Sequence, residues 1–159
     1  MSLITGNAKT IYGKNIIESL PKPTITTNDL LMDTSFNLGI ALSAVKVLKS
    51  GNIELANELM YKSMLYTTRN LIYFTTKKLI VGYNNIYNES KKFNCLNDYV
   101  ELLETAIQLR NQTLKDIDHS VYYKNISFIN KFAIPFLMTN SWRSSYRSAL
   151  PNDLICFLF

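Results

Sequence analysis

Apolar residues recur at helical spacing in four stretches of the chain, and this periodicity constrains the fold more than any other sequence feature. In the first stretch they are Leu31, Phe36, Leu38, Ala41, Leu42, Val45 and Leu48. Comparable patterns occupy residues 52–82, 97–119 and 122–138. Four amphipathic helices joined by short connections predict an all-α protein, an antiparallel bundle of four to five helices.

Capping signals fix two of the helix ends. Thr26 followed three residues later by Asp29 is typical of a capping box at a helix start. Gly51 follows Lys49 closely, which predicts the end of that helix, since cations favour the last turn and glycine the position beyond it. Asn52 is then expected to cap the second helix.

The remaining boundaries are less sharply marked. The second helix is expected to run to about Gly82, with a break near the threonines at 67–68 or 75–76, and residues 83–94 to form a loop or a frayed helix end. The third helix is expected to end near His119. Pro135 is expected to kink the fourth helix or end it one turn early, because proline lacks the amide N–H that a helix interior requires.

The two ends of the chain differ from the middle. Pro21 and Pro23 stop any helix, so residues 1–25 are predicted to form an extended N-terminal arm or linker, and residues 26–159 the helical bundle. The segment from Asn140 onward is strongly apolar. We expect it either to pack into a groove of the bundle or to meet a partner or a second copy of the chain.

The charge of the chain bears on its partners and its location. Seventeen basic and twelve acidic residues give a net charge of +5, which favours acidic partners such as nucleic acid or a nucleotide. The basic residues are scattered, so a solvated surface with excess lysine is the alternative. Apolar runs are broken well before the roughly 18 residues that a membrane-spanning helix needs. A cytoplasmic protein without a membrane partner is therefore expected.

Catalytic chemistry has few candidates in this sequence. His119 is the single histidine, and we weigh a general base against a histidine stabilised by a helix C-terminus. Asp116 and Asp118 form an Asp-x-Asp pair on a predicted helix, where the two side chains would point apart. With Cys95 and Cys156 as the only cysteines, a zinc site lacks ligands. We predict no catalytic residue, no metal site and no cofactor.

Glycine usage argues against a phosphate-binding loop. The five glycines are dispersed, and none belongs to a glycine-rich phosphate motif. Gly39 lies inside the first predicted helix, where it costs about 1 kcal/mol relative to alanine. We interpret it as a point of close approach between helices.

A polar and aromatic band in the second helix supplies the candidate binding residues. It contains Tyr61, Tyr66, Arg69, Asn70 and Tyr73. A guanidinium among apolar residues needs a carboxylate or phosphate partner. Arg69 is therefore expected either to contact the phosphate of a nucleotide or RNA, or to form an internal ion pair with Glu101 or Glu104.

One segment carries a family resemblance. Residues 6–17, Gly-Asn-Ala-Lys-Thr-Ile-Tyr-Gly-Lys-Asn-Ile-Ile, followed by Pro21, resemble a join in archaeal and bacterial minimal nucleotidyltransferases. There the last strand of the catalytic domain ends in a Tyr-Gly-Lys/Glu-Asp/Asn turn, and a helical substrate-binding or HEPN-like domain follows in the same chain or in a partner. The Gly-Ser turn and paired aspartates of the catalytic domain are absent here.

The resemblance implies a non-catalytic helical module that binds a nucleotide, another substrate or a nucleotidyltransferase subunit. Arg69, Tyr73 and Arg110, in the groove between the second and third helices, are the predicted binding residues. The first alternative is a homodimeric interaction protein without a small ligand, joined through its apolar tail. The second is a HEPN-type RNA-processing protein that uses His119, although Arg110 precedes that histidine by more residues than the Arg-x(4–6)-His motif of those ribonucleases allows.

Overall fold

A computed structural model describes residues 24–144, with side chains as far as Thr139, and shows no strand in that range. The all-α prediction is confirmed. The helices are α1 (Thr27–Lys49), α2 (Ile53–Thr76), α3 (Tyr83–Ser90), α4 (Val100–Arg110), α5 (Ser120–Ser127) and α6 (Ile134–Ser144). The predicted N-terminal arm, up to residue 23, and the apolar end of the chain beyond residue 144 lie outside the described residues.

Both predicted caps of the first helical pair are confirmed. The Thr26 backbone N–H donates to Asp29 Oδ2 at 2.7 Å, and the Asp29 N–H donates back to Thr26 Oγ1 at 3.2 Å. At the other end, α1 stops at Lys49, and Gly51 adopts φ +87°, a left-handed conformation that favours glycine. The Asn52 side chain then accepts from the Leu55 N–H and starts α2.

The second helix ends earlier than predicted. Lys77 takes a left-handed conformation with φ 58° and caps α2 at Thr76, so the expected continuation to Gly82 is wrong. Residues from Tyr83 onward form a short helix of their own, α3, rather than a loop. A 3₁₀ segment, Asn94–Tyr99, then leads directly into α4.

The third predicted helix is also shorter than expected. It ends at Arg110 instead of near His119, with Gln112 at φ 59° just beyond it. Asp116 and Asp118 consequently lie in a connection and not on a helix. His119 immediately precedes α5, so the expected stabilisation by a helix C-terminus is wrong. The Asp118 side chain accepts from the Ser120 N–H at 2.6 Å, at the start of this helix.

The last helical stretch continues through Pro135. Between α5 and α6 lies a π-helical segment, Phe128–Ala133, and Pro135 is the second residue of α6. The widened turn lies just before the proline, which leaves the proline in the first turn of the next α-helix, where its missing N–H is tolerated. Counted as one rod, α5, the π segment and α6 make the fifth helix of the described bundle.

Hydrogen bonds between helices define the direction of packing. Asn70 of α2 donates to Thr34 Oγ1 near the start of α1, so the two long helices run antiparallel. Tyr122 donates to Asn57, and Asn125 donates to Ser63 Oγ at 2.7 Å, so α5 runs parallel to α2. Apolar side chains from all of these helices form one core, and its largest fully buried members include Tyr122, Phe128, Met60, Met64, Leu103 and Leu137.

The core contains a polar layer where α1, α2 and α5 meet. Thr34, Asn37, Ser63, Thr67 and Asn125 are all at most 2% exposed. Three of their polar atoms have no hydrogen-bond partner among the described residues: Asn37 Nδ2, Thr67 Oγ1 and Asn125 Oδ1. Since unpaired buried polar groups cost stability, this layer is a weak point of the packing.

One face of α1 is not covered by the rest of the described bundle. Met32, Phe36 and Leu42 are 74%, 68% and 54% exposed. Two residues of the predicted apolar stripe, Phe36 and Leu42, therefore face away from the core. By length and composition α1 could also cross a membrane, a test that the core helix of a soluble protein passes too.

Candidate functional site

Arg69 lies on α2 and faces the start of α1. Its Nη2 is 3.5 Å from Asp33 Oδ2, and the arginine side chain is 16% exposed against 45% for the aspartate. Asn70 also donates to this carboxylate, at 2.8 Å. The expected ion pair thus exists, but its partner is Asp33, and the predicted Glu101 and Glu104 are both exposed on α4.

Tyr73 lies one helical turn beyond Arg69, in the same cleft between α1 and α2. The cleft has a volume of about 150 Å³ and is lined by Ile25, Asp29, Leu30, Asp33, Arg69, Asn70, Tyr73 and Leu79. Asp29 and Asp33 place two carboxylates beside a single guanidinium. The local charge is therefore unfavourable for an anionic ligand.

Two tyrosines connect Arg69 to the other side of α2. The Arg69 guanidinium carbon lies 4.8 Å from the centre of the Tyr66 ring, within cation–π range. The Tyr66 and Tyr83 hydroxyls are 2.8 Å apart and hydrogen-bonded, and their ring centres are 5.6 Å apart. Tyr61 meets the Tyr83 ring edge-on at 5.9 Å.

Arg110 completes the array at the last turn of α4. Its guanidinium carbon lies 5.3 Å from the centre of the Tyr83 ring. Among residues 24–139, no carboxylate lies within ion-pair distance of Arg110. The guanidinium borders an open depression of about 350 Å³ whose other walls are uncharged: Gly82, Tyr83, Asn84, Asn85 and Asn111.

The order along the surface is Arg69, Tyr66, Tyr83, Arg110, and we call these four residues the tyrosine–arginine face. Of the predicted binding residues, Arg69 and Tyr73 share the cleft between α1 and α2, whereas Arg110 borders a separate depression between α3 and α4. The structure does not bring the three into one pocket. It links Arg69 and Arg110 through the two tyrosine rings.

Sequence reasoning missed Tyr83 and the asparagines beside it. Because residues 83–94 were predicted to form a loop or frayed end, nothing placed Tyr83 against α2. Gly82 adopts φ +89° and starts α3, which turns the Tyr83 ring back toward Tyr66. A glycine directly before a tyrosine and two asparagines is the one local signal of this helix start.

The environment of Tyr83 also changes its acidity. Burial of the ring, together with the hydrogen bond between the Tyr83 and Tyr66 hydroxyls, raises the pKa of the Tyr83 hydroxyl well above that of an ordinary tyrosine. Both causes disfavour the phenolate. Tyr83 is therefore a neutral hydrogen-bonding group and an aromatic surface at physiological pH, not a base.

The candidates for catalysis are not assembled into a site. His119, Asp116 and Asp118 are all exposed in the connection before α5. No group of three or more histidine, cysteine, aspartate or glutamate side chains suited to a metal ion occurs among residues 24–139. The part of the chain that the structure describes shows no nucleophile paired with a base.

Comparison with known proteins returns no match, whether with protein-family models, curated proteins or solved structures. The resemblance to the helical domain of minimal nucleotidyltransferases therefore stays a prediction based on residues 6–17 and Pro21.

Proposed function

We propose that this protein is a non-catalytic helical module that binds a nucleotide or single-stranded RNA at the tyrosine–arginine face, with the phosphate at Arg110. The observation that carries the proposal is the position of Arg110, an exposed cation without a carboxylate partner among the described residues, held over the Tyr83 ring. Such a guanidinium can still donate its hydrogen bonds to a phosphate.

The neighbourhood of Arg110 supports a phosphate there rather than at Arg69. Asp33 already offsets the charge of Arg69, and Asp29 adds a second negative charge to that cleft. Around Arg110 the side chains are uncharged, and the first residues of α3, at the partly positive end of that helix, line the same depression. Both features favour an anion.

The aromatic rings supply the second half of the recognition. Nucleic-acid-binding surfaces commonly combine a cation for the phosphate with an aromatic ring on which a base stacks. Tyr83 is partly exposed and lies directly beside Arg110. The net charge of +5 acts in the same direction by attracting polyanions.

The test compares two substitutions that remove the same charge. Binding of ATP is measured by calorimetry, and binding of a fluorescein-labelled oligouridine of about twelve nucleotides by fluorescence anisotropy. Arg110→Gln is expected to weaken binding about 10- to 100-fold, since a charge-assisted hydrogen bond contributes about 1.5–3 kcal/mol. Lys124→Gln, at an exposed position on α5 outside this face, is the matched control and should retain nearly full affinity.

Further variants separate the contribution of the Tyr83 ring to binding from that of its hydroxyl. Tyr83→Phe keeps the aromatic surface and is expected to bind, whereas Tyr83→Leu should weaken binding of the oligonucleotide. Absence of binding to both probes at about 1 mM overturns the proposal, since that corresponds to less than about 4 kcal/mol of affinity. Equal losses in the Arg110 and Lys124 variants also overturn it, because they would show attraction by net charge alone.

A further inference from the structure

The exposed face of α1 is arranged symmetrically about Gly39. Seven residues of this face are exposed: Met32, Ser35, Phe36, Gly39, Leu42, Ser43 and Lys46. At 100° per residue, all of them lie within about 60° of the Gly39 direction. Large apolar residues stand three positions on either side of the glycine and serines four positions on either side.

Gly39 itself packs against none of the described residues. It lies in the interior of α1, where glycine costs about 1 kcal/mol relative to alanine. A Cβ atom built at this position meets nothing within 4 Å. No helix among residues 24–139 makes the expected close approach, and the glycine faces outward between two exposed apolar side chains.

We infer that this face of α1 binds the same face of a second copy of the chain, with the two helices antiparallel and crossing at Gly39. A twofold axis at Gly39 places Phe36 of one copy and Leu42 of the other at the same height along the contact. Ser35 and Ser43 form the adjacent layers in the same way. The absence of a side chain at the centre lets the two backbones approach closely.

The charges on α1 favour the antiparallel orientation. Its first turn carries Asp29, and its last turn carries Lys46 and Lys49. Antiparallel packing brings the acidic end of each helix next to the basic end of its partner at both ends of the contact. A parallel pair would instead place like charges together, which is unfavourable.

The size of the face sets the expected affinity. Seven exposed residues per copy are fewer than the 20–30 that a standard interface has on each side. We therefore expect a dissociation constant in the micromolar range, so that the monomer and the dimer coexist at accessible concentrations. The exposed face of α1 shares no residue with the tyrosine–arginine face, so this inference does not depend on nucleotide binding.

The first experiment measures mass by sedimentation equilibrium of the full chain at about 1–300 µM. The wild type should shift from 18.3 kDa toward twice that mass as concentration rises. Phe36→Glu should remain monomeric across the range, because it introduces a charge on the twofold contact. Tyr123→Glu, at an aromatic position of α5 that is 54% exposed, is the matched control and should dimerise like the wild type.

The second experiment reads the orientation. A Ser35→Cys chain is mixed with a Ser43→Cys chain under mild oxidation, with the wild type oxidised in parallel to account for Cys95 and Cys156. An antiparallel pair crosslinks only in the mixture. A parallel pair crosslinks each variant with itself. Positions eight residues apart on one helix are about 12 Å apart, too far for a bridge within one chain.

The two experiments together support or overturn the proposed dimer. Concentration-dependent mass that is lost in Phe36→Glu, together with crosslinking only in the mixture, supports the inference. A wild type that stays monomeric at about 300 µM overturns it, as does a Phe36→Glu variant that dimerises normally. If the wild type is monomeric but floats with phosphatidylcholine vesicles and the Phe36→Glu variant does not, the face is a membrane contact and the dimer is rejected. Circular dichroism confirms that each variant is folded.

Discussion

Replacing Gly39 by alanine should stabilise the fold of the monomer. The residue occupies the interior of α1, and its side-chain position is open, so an added methyl group neither clashes with the described residues nor gains packing contacts with them. The remaining contribution to the free energy of unfolding is the conformational entropy of the backbone. Alanine restricts the unfolded chain more than glycine does and is the best helix former.

The magnitude follows from that single contribution. Glycine in a helix interior is about 0.8–1.0 kcal/mol less favourable than alanine, so Gly39→Ala should raise the free energy of unfolding by about 1 kcal/mol. For a domain of this size, that corresponds to a rise in Tm of about 2–4 °C. Gly51 provides the opposite case. Its φ of +87° penalises any Cβ atom, so Gly51→Ala should lower stability by about 1–2 kcal/mol.

The assay is urea unfolding followed by circular dichroism, in the Phe36→Glu background, so that self-association does not contribute. In the chain without Phe36→Glu, the same Gly39→Ala substitution should weaken the proposed dimer, because a methyl group on each copy separates the backbones. A Gly39→Ala monomer no more stable than its parent would refute the reasoning, since it would mean that the position is not an open helix interior. Stronger dimerisation in the alanine variant would contradict the close-approach geometry.

Three further perturbations test other parts of the structure. Thr26→Ala should lower the free energy of unfolding by about 1 kcal/mol, because the capping box of α1 loses its hydroxyl acceptor, and thermal melting measures the loss. Asn125→Leu should stay within about 1 kcal/mol of the wild type, since it removes the unpaired Oδ1 along with the two hydrogen bonds that Nδ2 donates. Asn125→Asp should cost at least about 2 kcal/mol by burying a charge, and a tolerated aspartate in urea unfolding would show that the layer is hydrated. The free energy of unfolding should fall as pH rises above about 10, because the raised pKa of Tyr83 means that the unfolded chain loses this proton first. Urea unfolding at about pH 9 and about pH 11, with Tyr83→Phe as the control, measures the effect. An identical fall in the control would rule out this tyrosine as its source.

Local signals in the sequence were sufficient for the helix starts. The capping box at Thr26 and Asp29 and the cap at Asn52 are short-range hydrogen bonds, made between residues three apart. The turn at Gly51 is also a local feature, because its positive φ angle favours glycine over other residues. These features depend on neighbours along the chain, so a reading of the sequence places them correctly.

The helix ends at Thr76 and Arg110 needed the folded structure. Lys77 and Gln112 both take positive φ values, and neither lysine nor glutamine is a residue type that predicts such a conformation. The bundle sets these stops, because each chain segment must turn back to pack its next helix. The passage through Pro135 is similar: the π segment before it adjusts the helix in a way that no spacing rule indicates.

The candidate site shows the same division. The sequence marked Arg69, Tyr73 and Arg110 as cations and aromatic groups that need partners, but it assigned Arg69 to the wrong carboxylates. Asp33 lies 36 positions away in sequence, and Tyr83 lies 17 positions from the Tyr66 hydroxyl that it contacts. Contacts of that separation follow from how α1 and α3 pack against α2.

By itself, then, the sequence determined that the described part of the chain is helical and where α1 and α2 begin, because periodicity and capping are properties of neighbouring residues. The tertiary structure decided which groups remain unsatisfied after packing. Asp33 forms an ion pair with Arg69, whereas Arg110 lies over the Tyr83 ring without a carboxylate partner among the described residues. Phe36 and Leu42 are exposed to solvent although their spacing matches the core stripe. Periodicity tells how a helix is turned but not how many neighbours surround it, and the number of neighbours is what leaves a cation or an apolar face available for a partner.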